Sequence, residues 1–359
     1  MTINIPDLNL EGDLKTQVES VTANGVAVRI VGGNSKAFYG NPVDALDIEV
    51  GGHSGIVDYD PAELVITLRA GCKLKDVEAL LAESNQMLGF EPPHFGDDAT
   101  IGGMVASGLT GPRRAYSGAI RDFILGVKLL NGRGEVVNFG GRVIKNVAGF
   151  DVSRLMVGSL GTLGILLEVS IRVIPQFETE VTLGFDHDEA QSHIDWVNKL
   201  GGLPYPISAS YWYQGQSKIR LSGSLLGVDS ARQQLGGNRS ESDDEVWDML
   251  KEQTHPFFAS AKSVTRVSVP STERDFLVDD SQLIEWAGAQ RWISHAHELN
   301  SLQKQLQKHR GTACAYRGHD PGLESFQRPT DAIMALHRNI KSSFDPAGIF
   351  NPGRLYQGL

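Results

Sequence analysis

Residues 99–112 read Ala99-Thr100-Ile101-Gly102-Gly103-Met104-Val105-Ala106-Ser107-Gly108-Leu109-Thr110-Gly111-Pro112. Five glycines fall between Gly102 and Gly118, and no side chain from Gly102 to Gly108 is larger than Met. A close-packed core does not use such a run, because small residues leave volume unfilled. A flat aromatic or pyrophosphate ligand lying against the backbone would fill it. Arg113, Arg114, Arg121 and Asp122 follow and read most simply as a solvated loop with a surface ion pair.

Two more glycine segments flank this one. Val28-Arg29-Ile30-Val31-Gly32-Gly33-Asn34-Ser35-Lys36 closes at Gly40. A strand running into Gly-Gly-Asn-Ser presents several backbone N–H groups in one direction, a nest suited to phosphate oxygens. Two glycines after a strand also make a plain tight turn. The spacing is neither G-x-G-x-x-G nor a Walker loop, which disfavours a Rossmann or P-loop domain. The other segment, Val157-Gly158-Ser159-Leu160-Gly161-Thr162-Leu163-Gly164-Ile165, has Gly at every third position and leads into a strand. It reads as a close backbone approach to another surface or as a tight turn between buried strands.

The chain has 359 residues and 40 glycines, with no collagen-like period. Of these, 25 lie in residues 1–175, 12 in 176–340 and 3 in the last 19, so the excess belongs to the first half. A boundary is expected near Ile174-Pro175-Gln176-Phe177-Glu178, with units at 1–176, 177–340 and 341–359. The apolar share of 41% is that of an ordinary globular protein and excludes disorder and a disulfide scaffold. A net charge of −10 argues against nucleic acid as the main partner. Cys72 and Cys314, with no C-x-x-C, fit a reduced cytoplasmic setting. The first residues, MTINIPDLNLEGD, carry no basic or apolar signal region. The longest uncharged apolar stretch, 155–167, is too short to span a membrane and reads as a buried strand–turn–strand. Direct membrane insertion is not expected. Attachment to an inner membrane would come only through partner subunits.

Periodicity gives a mixed α+β pattern in both halves. Residues 13–24 carry Leu14, Val18 and Val21 at helical spacing and stop at Asn24-Gly25. A second helix carries Leu74, Val77, Leu80 and Leu81 on one face. Strands are expected at 26–31, 46–50, 64–68, 123–130, 136–139 and 165–174, with Asn131-Gly132 closing a hairpin. In the second half, helices are expected at 189–200 and 331–344, and strands at 208–213, 219–225 and 264–269. Residues 236–244 read as a flexible loop.

Taken together, the strand–GGNS–G, ATIGG…SG…G…G and GSLGTLGI segments resemble the FAD-binding domain of the vanillyl-alcohol oxidase/p-cresol methylhydroxylase superfamily. Phe344-Asp345-Pro346-Ala347-Gly348-Ile349-Phe350-Asn351-Pro352-Gly353-Arg354 resembles that superfamily's closing motif. A narrower resemblance, to the FAD-binding E subunits of bacterial glycolate oxidase, covers nearly the whole chain. It rests on residues 141–151, Arg266-Val267-Ser268-Val269-Pro270 and 284–292. Those subunits carry a G-H-A-T-x-F-R-like segment, which here reads Gly311-Thr312-Ala313-Cys314-Ala315-Tyr316-Arg317, without the histidine.

The resemblance implies a PCMH-type FAD-binding domain of two subdomains, a smaller α+β cap, and a C-terminal tail that returns near the flavin. It implies that Val31, Gly32, Gly33, Asn34, Ser35, Lys36 and Gly40 cradle the pyrophosphate. Thr100, Ile101, Gly102, Gly103, Ala106, Ser107 and Gly108 would hold pyrophosphate and ribityl chain, with Gly118 and Asp122 closing that loop. Gly158, Ser159, Gly161, Thr162, Gly164 and Ile165 would line the adenine or isoalloxazine end. Relatives with covalent flavin often have His in the first loop; Asn34-Ser35 here imply non-covalent FAD.

The H-x-G-D-G-N-x-H metal segment of related D-2-hydroxy-acid dehydrogenases is missing, and no metal is expected. His295-Ala296-His297 and Gly318-His319-Asp320 are the nearest candidates; histidines at i, i+2 share a face on a strand but not on a helix. Arg266, Arg291 and Arg317 could clamp a substrate carboxylate or serve as structural ion pairs. No proton acceptor stands out. Three functions follow. The first is the FAD-binding subunit of a glycolate oxidase complex, acting on a small 2-hydroxy acid with a catalytic flavin subunit and an iron–sulfur subunit. Two cysteines cannot ligate a cluster in this chain. The second is a self-sufficient FAD-dependent D-2-hydroxy-acid dehydrogenase. The third is a non-catalytic assembly subunit with a vestigial flavin site, against which the intact glycine segments argue.

Overall fold

The computed structural model describes residues 5–141, 152–238, 244–275, 282–294, 299–320 and 322–359. The chain opens with helix α1 (Glu11–Ala23), whose Leu14 and Val18 are buried one turn apart. Strands β1 (Val28–Val31) and β2 (Leu46–Glu49) pair in parallel. Then come β3 (Ile56–Asp60), β4 (Val65–Arg69), α2 (Leu74–Glu83), β5 (Gln86–Met87), α3 (Ile101–Ser107) and α4 (Arg114–Ser117). After these follow β6 (Ile124–Leu130), β7 (Val136–Gly140), α5 (Val152–Leu155), β8 (Ile165–Arg172) and β9 (Ile174–Pro175). Five strands form one antiparallel sheet in the order β3-β4-β8-β6-β7. Its apolar face packs with Leu74, Val77 and Leu81 of α2 and Ile101, Met104 and Val105 of α3 in one core. Burial of these aliphatic side chains, at about 1.5–3 kcal/mol each, holds the layer together.

The remaining strands build a second, seven-stranded sheet. Its elements are β10 (Thr179–Asp186), α6 (Ala190–Gly201), β11 (Ile207–Tyr213), β12 (Gln216–Gly223), α7 (Leu225–Leu235), α8 (Glu245–Lys251) and α9 (Pro256–Ser260). Next come β13 (Val264–Ser268), β14 (Gln282–Glu285), β15 (Gln290–Ile293), α10 (Leu299–Leu306) and β16 (Thr312–Arg317). The strand order is β10-β12-β11-β14-β15-β13-β16, antiparallel throughout. Helix α11 (Asp331–Phe344) ends the second half, and the tail after it returns to β1.

The two faces of this sheet differ. Val267, Ile293, Ala313 and Ala315 pack under α10 on one side. Strand alternation sends Glu285, Gln290, Trp292, Arg266 and Cys314 to the other side, as their cross-strand pairing shows. That inner face meets the first half of the chain. Trp286 Nε1 there donates to Gly111 O at 3.1 Å.

A buried ionic network fastens the same seam. The Arg113 backbone N–H donates to Glu91 Oε2 at 3.0 Å, and its Nε donates to Oε1 at 3.1 Å. Arg113 Nη2 donates to Glu180 Oε1 at 2.6 Å, and Arg220 Nη2 donates to Glu91 Oε2 at 3.0 Å. Arg113 is 1% exposed, so the expected solvated loop is corrected here: one of its arginines is a core residue. It is tolerated because each charge has an opposite partner and further hydrogen bonds.

Three other expectations change. Residues 101–107 form a short helix rather than an open loop, with Thr100 Oγ1 accepting from Gly103 N at 3.1 Å as its N-cap. Residues 155–167 are the end of a helix, a turn and the first residues of β8, not strand–turn–strand. The strand expected at 219–225 runs from Gln216 to Gly223, and Leu225 starts α7, because Ser224 caps that helix through Gly227 N. Of the segments named above, 142–151, 239–243 and 295–298 lie outside the described residues. Among the described residues, no helix is long and apolar enough to cross a membrane.

The network makes a prediction. Burial alone would raise the Glu91 carboxyl, but Arg220 and Arg113 more than offset it and hold it below its ordinary value. A depressed carboxyl stabilises the fold above its unfolded value, about 4.3. That stability is lost as pH falls through the folded value. Glu91→Gln is expected to cost about 3–5 kcal/mol at pH 7, since it leaves the buried Arg220 guanidinium without a charge partner and Arg113 with Glu180 alone. Urea midpoints at pH 7 and pH 4 check this: the drop on acidification should be smaller in the variant than in the wild type.

Candidate functional site

A cleft opens where β1 ends. Its floor is Val31, Gly32, Gly33, Asn34, Ser35 and Lys36. Thr100, Gly103, Ala106 and Ser107 form one wall. The first and second glycine segments, some 65 residues apart in the chain, therefore meet. Gly33 is what allows the contact: a Cβ there would lie 1.4 Å from Asp98 O. The loop must lie flat on the residues that lead into α3, and any side chain at 33 would lift it off.

The amides of Gly32, Gly33, Asn34, Ser35 and Lys36 take no acceptor among the described residues. Backbone N–H groups are seldom left unpaired where water is excluded. Five in succession, lining a cleft, make an anion nest. Two cations join them. Lys36 Nζ donates only to neutral oxygens, Ser35 Oγ at 3.3 Å and His94 O at 3.2 Å. Burial lowers its ammonium to about 8, against the pull of Glu252. Arg354 donates to the carbonyls of Asn41 and Ala37, both at 2.8 Å. Burial and the nearby Arg29 lower its guanidinium to about 10. Arg29 is different, being held by Asp47 through two 2.7 Å hydrogen bonds. The cleft thus offers two cations that have carbonyl or hydroxyl partners but no carboxylate in hydrogen-bond contact.

Residues from the tail complete the cleft. Asn351 and Arg354 line it, as does Leu160 of the third glycine segment. Asn351 is a clip: Ile30 N donates to its Oδ1 at 2.9 Å, and its Nδ2 donates to Leu160 O at 2.6 Å. Val28 N donates to Ile349 O at 2.8 Å, so the tail runs beside β1. Lys341 holds the base of the tail. Its Nζ donates to Thr162 O, Asp345 Oδ2 and Phe350 O, each at 2.7 Å. Asp345 also accepts from Ile349 N at 3.1 Å and Phe350 N at 2.8 Å.

The other sequence-marked residues lie off the cleft lining. Ile101 and Ile165 are buried in the cores. Gly102 packs on Ala70, and Gly164 packs on Leu130 O. Gly108 ends α3 in the left-handed region against Gly158. Gly40 abuts Leu160 and Arg354, and Gly161 abuts the Asn351 amide. Thr162 and Ser159 bond to one another in the same turn. Asp122 Oδ2 accepts from Ala119 N at 2.9 Å, closing the turn after Gly118. Sequence reasoning missed Arg354, Asn351, Leu160, Ile30 and Ala37 as lining residues. Their one sequence signal was the tail motif, which named the segment but not the side chain that enters.

Of the three arginines considered for a clamp, Arg291 points to the outer face. It donates to Glu273 O at 2.6 Å and lies 3.4 Å from Asp275. Arg317 donates to Gln253 Oε1 at 2.9 Å and stacks on Phe38. Arg266 faces inward. His319 contacts Val264 O and Thr265 Oγ1. Among the described residues, no three His, Cys, Asp or Glu side chains come together as a metal cluster.

Residues 9–140 match the family model described as FAD binding domain. Over 349 residues the chain is 42% identical to glycolate oxidase subunit GlcE of Escherichia coli (strain K12), covering 96% of this chain and 97% of that one. The chain belongs to the family of that FAD-binding glycolate oxidase subunit. Glycolate oxidase subunit GlcD of Bacillus subtilis (strain 168) is 34% identical over 129 residues, 36% of this chain and 27% of that protein. D-lactate dehydrogenase of Archaeoglobus fulgidus is 30% identical over 156 residues, 43% of this chain and 34% of that protein. The solved structure of alkyldihydroxyacetonephosphate synthase superposes with a TM-score of 0.66 at 16% identity, covering 95% of this chain and 75% of that one. That likeness is one of fold, and it agrees with the PCMH-type architecture expected from the three glycine segments.

The tail clip makes a second prediction. Lys341→Met removes the cation from a buried pair and leaves the Thr162 and Phe350 carbonyls without their donor. A loss of about 3–5 kcal/mol is expected in urea unfolding. Limited proteolysis should release the tail in the variant before it does so in the wild type.

Proposed function

We propose that this chain is the FAD-binding subunit of a glycolate oxidase complex that converts glycolate or a related 2-hydroxy acid to the 2-oxo acid. Electrons leave through the flavin to partner subunits. The observation that carries the reading is the row of five unpaired amides at Gly32–Lys36, flanked by Lys36 and Arg354. A pyrophosphate brings negative charge and acceptor oxygens, and this cleft lacks both. Charge-assisted hydrogen bonds of this kind are roughly twice as strong as neutral ones.

Within this reading, residues 1–176 form the cofactor unit, 177–340 the cap, and 341–359 the tail that finishes the cleft. Gly103, Ala106 and Ser107 leave room for the ligand along one wall. The residues of the third segment, Gly158 to Ile165, act from behind the lining by fixing Leu160 and the tail clip. Asn34 and Ser35 stand where a covalent attachment would need a nucleophilic histidine, so the flavin is held non-covalently. When bound, FAD supplies a hydride acceptor. The protein's part is to fix the dinucleotide, exclude water at the inner face of the seven-stranded sheet, and pass electrons on. Cys72 is buried and Cys314 lies on β16. An iron–sulfur partner would therefore supply any cluster, and a second flavin subunit would complete the complex. Contact with a membrane would be made by those partners.

The test is to purify the chain alone and record its visible spectrum. Bound FAD at about one per chain is expected. Gly103→Val should abolish it, because a Cβ at 103 meets only Thr100 Oγ1 at 3.2 Å and the branch would project into the cleft. A folded Gly103→Val variant that still copurifies with stoichiometric FAD would contradict the placement. Anaerobic glycolate should bleach the flavin only when the partner subunits are present.

A further inference from the structure

We infer that Glu252, just past the end of α8 in the second half of the chain, is a positioning residue for the dinucleotide: its carboxylate holds the His94–Phe95 peptide unit that directs Lys36 into the anion nest. The inference rests on the flavin reading above and adds to it a residue outside the cleft lining.

The nest ends on Lys36, whose side chain leans on a neighbouring loop. Its Nζ donates to His94 O at 3.2 Å and lies 5.6 Å from the centre of the Phe95 ring. The backbone of that loop is unusual. Phe95 and Gly96 have φ of 54° and 123°. A glycine takes such values freely, but a phenylalanine does so only where surrounding contacts enforce it.

The enforcing contact comes from the other half of the chain. Glu252 is the C-cap residue of α8, and its carboxylate faces the loop. His94 N donates to both of its oxygens, at 3.2 and 3.1 Å, and Phe95 N donates to Oε2 at 2.9 Å. The His94 ring is fixed separately, by Glu78 Oε2 at 2.7 Å.

The His94 carbonyl and the Phe95 N–H belong to one planar peptide unit. That unit therefore has a carboxylate on its N–H side and the Lys36 ammonium on its carbonyl side. The plane cannot twist internally, so fixing the N–H fixes the carbonyl. Both charges polarise the peptide in the same sense, and each hydrogen bond strengthens the other. Glu252 thus sets where Lys36 points without touching it.

Glu252 also acts on the lysine through its charge. Burial lowers the Lys36 ammonium to about 8, and Glu252 is the carboxylate that opposes the fall. The other charged groups around the cleft do not replace it. Arg354 is a second cation, Arg29 is matched by Asp47, and the His94 ring is paired with Glu78. Lys251 lies 3.8 Å from Glu252 Oε1 but pairs more closely with Asp248, at 3.0 Å.

A bound pyrophosphate supplies the charge partner that Lys36 lacks, so the bound state favours the ammonium form. Above about pH 8 binding therefore takes up a proton, and affinity falls as pH rises. Without the Glu252 carboxylate the free lysine gives up its proton at lower pH, and the fall begins sooner.

The test is the Kd for FAD of the full chain from pH 6 to pH 9, read from the fluorescence of FAD released on dilution. Circular dichroism at each pH confirms that the chain is folded. In wild type, Kd should double from its acid plateau near pH 8 and be about tenfold higher at pH 9. Lys36→Arg should remove the rise, because a guanidinium stays charged throughout. Glu252→Gln keeps an acceptor for the peptide unit and loses the charge. At pH 6 its Kd should lie within about threefold of wild type, yet double at a pH lower by about half a unit or more. Glu252→Ala also frees the peptide unit and should raise Kd by about tenfold or more at pH 6. A merely structural Glu252 would change Kd equally at every pH. The inference is overturned if wild-type Kd is flat from pH 7 to pH 9, if Lys36→Arg keeps the rise, or if Glu252→Gln keeps the wild-type midpoint. Should Glu252→Ala fail to fold, Glu252→Gln decides alone. A chain that binds no FAD at any pH defeats the flavin reading and this inference with it. A chain that binds FAD and fails a pH arm defeats only the role given to Glu252.

Discussion

The Lys341 ammonium is the point at which the structure closes. It sits 6% exposed with three oxygen acceptors, one from the third glycine segment and two from the tail. A buried cation costs several kcal/mol to desolvate, and only a full set of partners offsets that. Here the partners come from residues 162, 345 and 350, so the charge can be buried only when the tail is in place. The tail in turn lies along β1 and supplies Asn351, which holds Ile30 and Leu160 together. Without this closure β1 would have one parallel partner, β2, and an open edge. The floor of the cleft, which begins where β1 ends, would lose its support.

The seven-stranded sheet shows the same logic at larger scale. Its outer face is aliphatic and covered by helices; its inner face mixes charged groups with aromatic and aliphatic ones and is covered by α8, α9 and the first half of the chain. Polar groups at a buried seam must be paired, and most are, through Glu91, Arg113, Glu180, Arg220, Ser208 and Ser222. Gln290 joins the last charged pair of this face, accepting from Arg266 and donating to Glu285.

Much of the first half was legible in the sequence. Helix α1, helix α2 and the β6–β7 hairpin at Asn131-Gly132 follow from periodicity and turn chemistry, and the meeting of two glycine segments from the family resemblance. Helix α3 was not, because Gly102, Gly103 and Ser107 lower local helix propensity; Thr100 as N-cap and burial of Ile101, Met104 and Val105 override it. Arg113 read as a surface charge because its partners, Glu91, Glu180 and Ser222, are 22 or more residues away and nothing local marks them. In the third glycine segment, Gly161 makes room for Asn351 and Gly164 for Leu130, contacts with distant parts of the chain that nothing local marks. In the second half β10, β14, β15 and β16 went unread; β14 and β15 are fully buried and so lack an alternating pattern. The sequence did hold one cue to the inner face, the arginines of 264–268, 290–293 and 312–317, but not which of them turns inward. Only the pairing register separates Arg266 from Arg291.

The pairing of β1 with the tail also has a consequence in time. Val28 emerges from the ribosome more than 300 residues before Ile349, the residue whose carbonyl it finally meets. Helix α3 and the five-stranded sheet can form while synthesis continues, but Asn351 and Arg354 follow β1 by more than 300 residues. The cleft is therefore finished only after the whole stretch from β1 to Arg354 has been made. Any occupant is captured after that stretch has folded, not while it grows. A truncated product would carry every glycine of the nest and still lack the wall that retains what binds there.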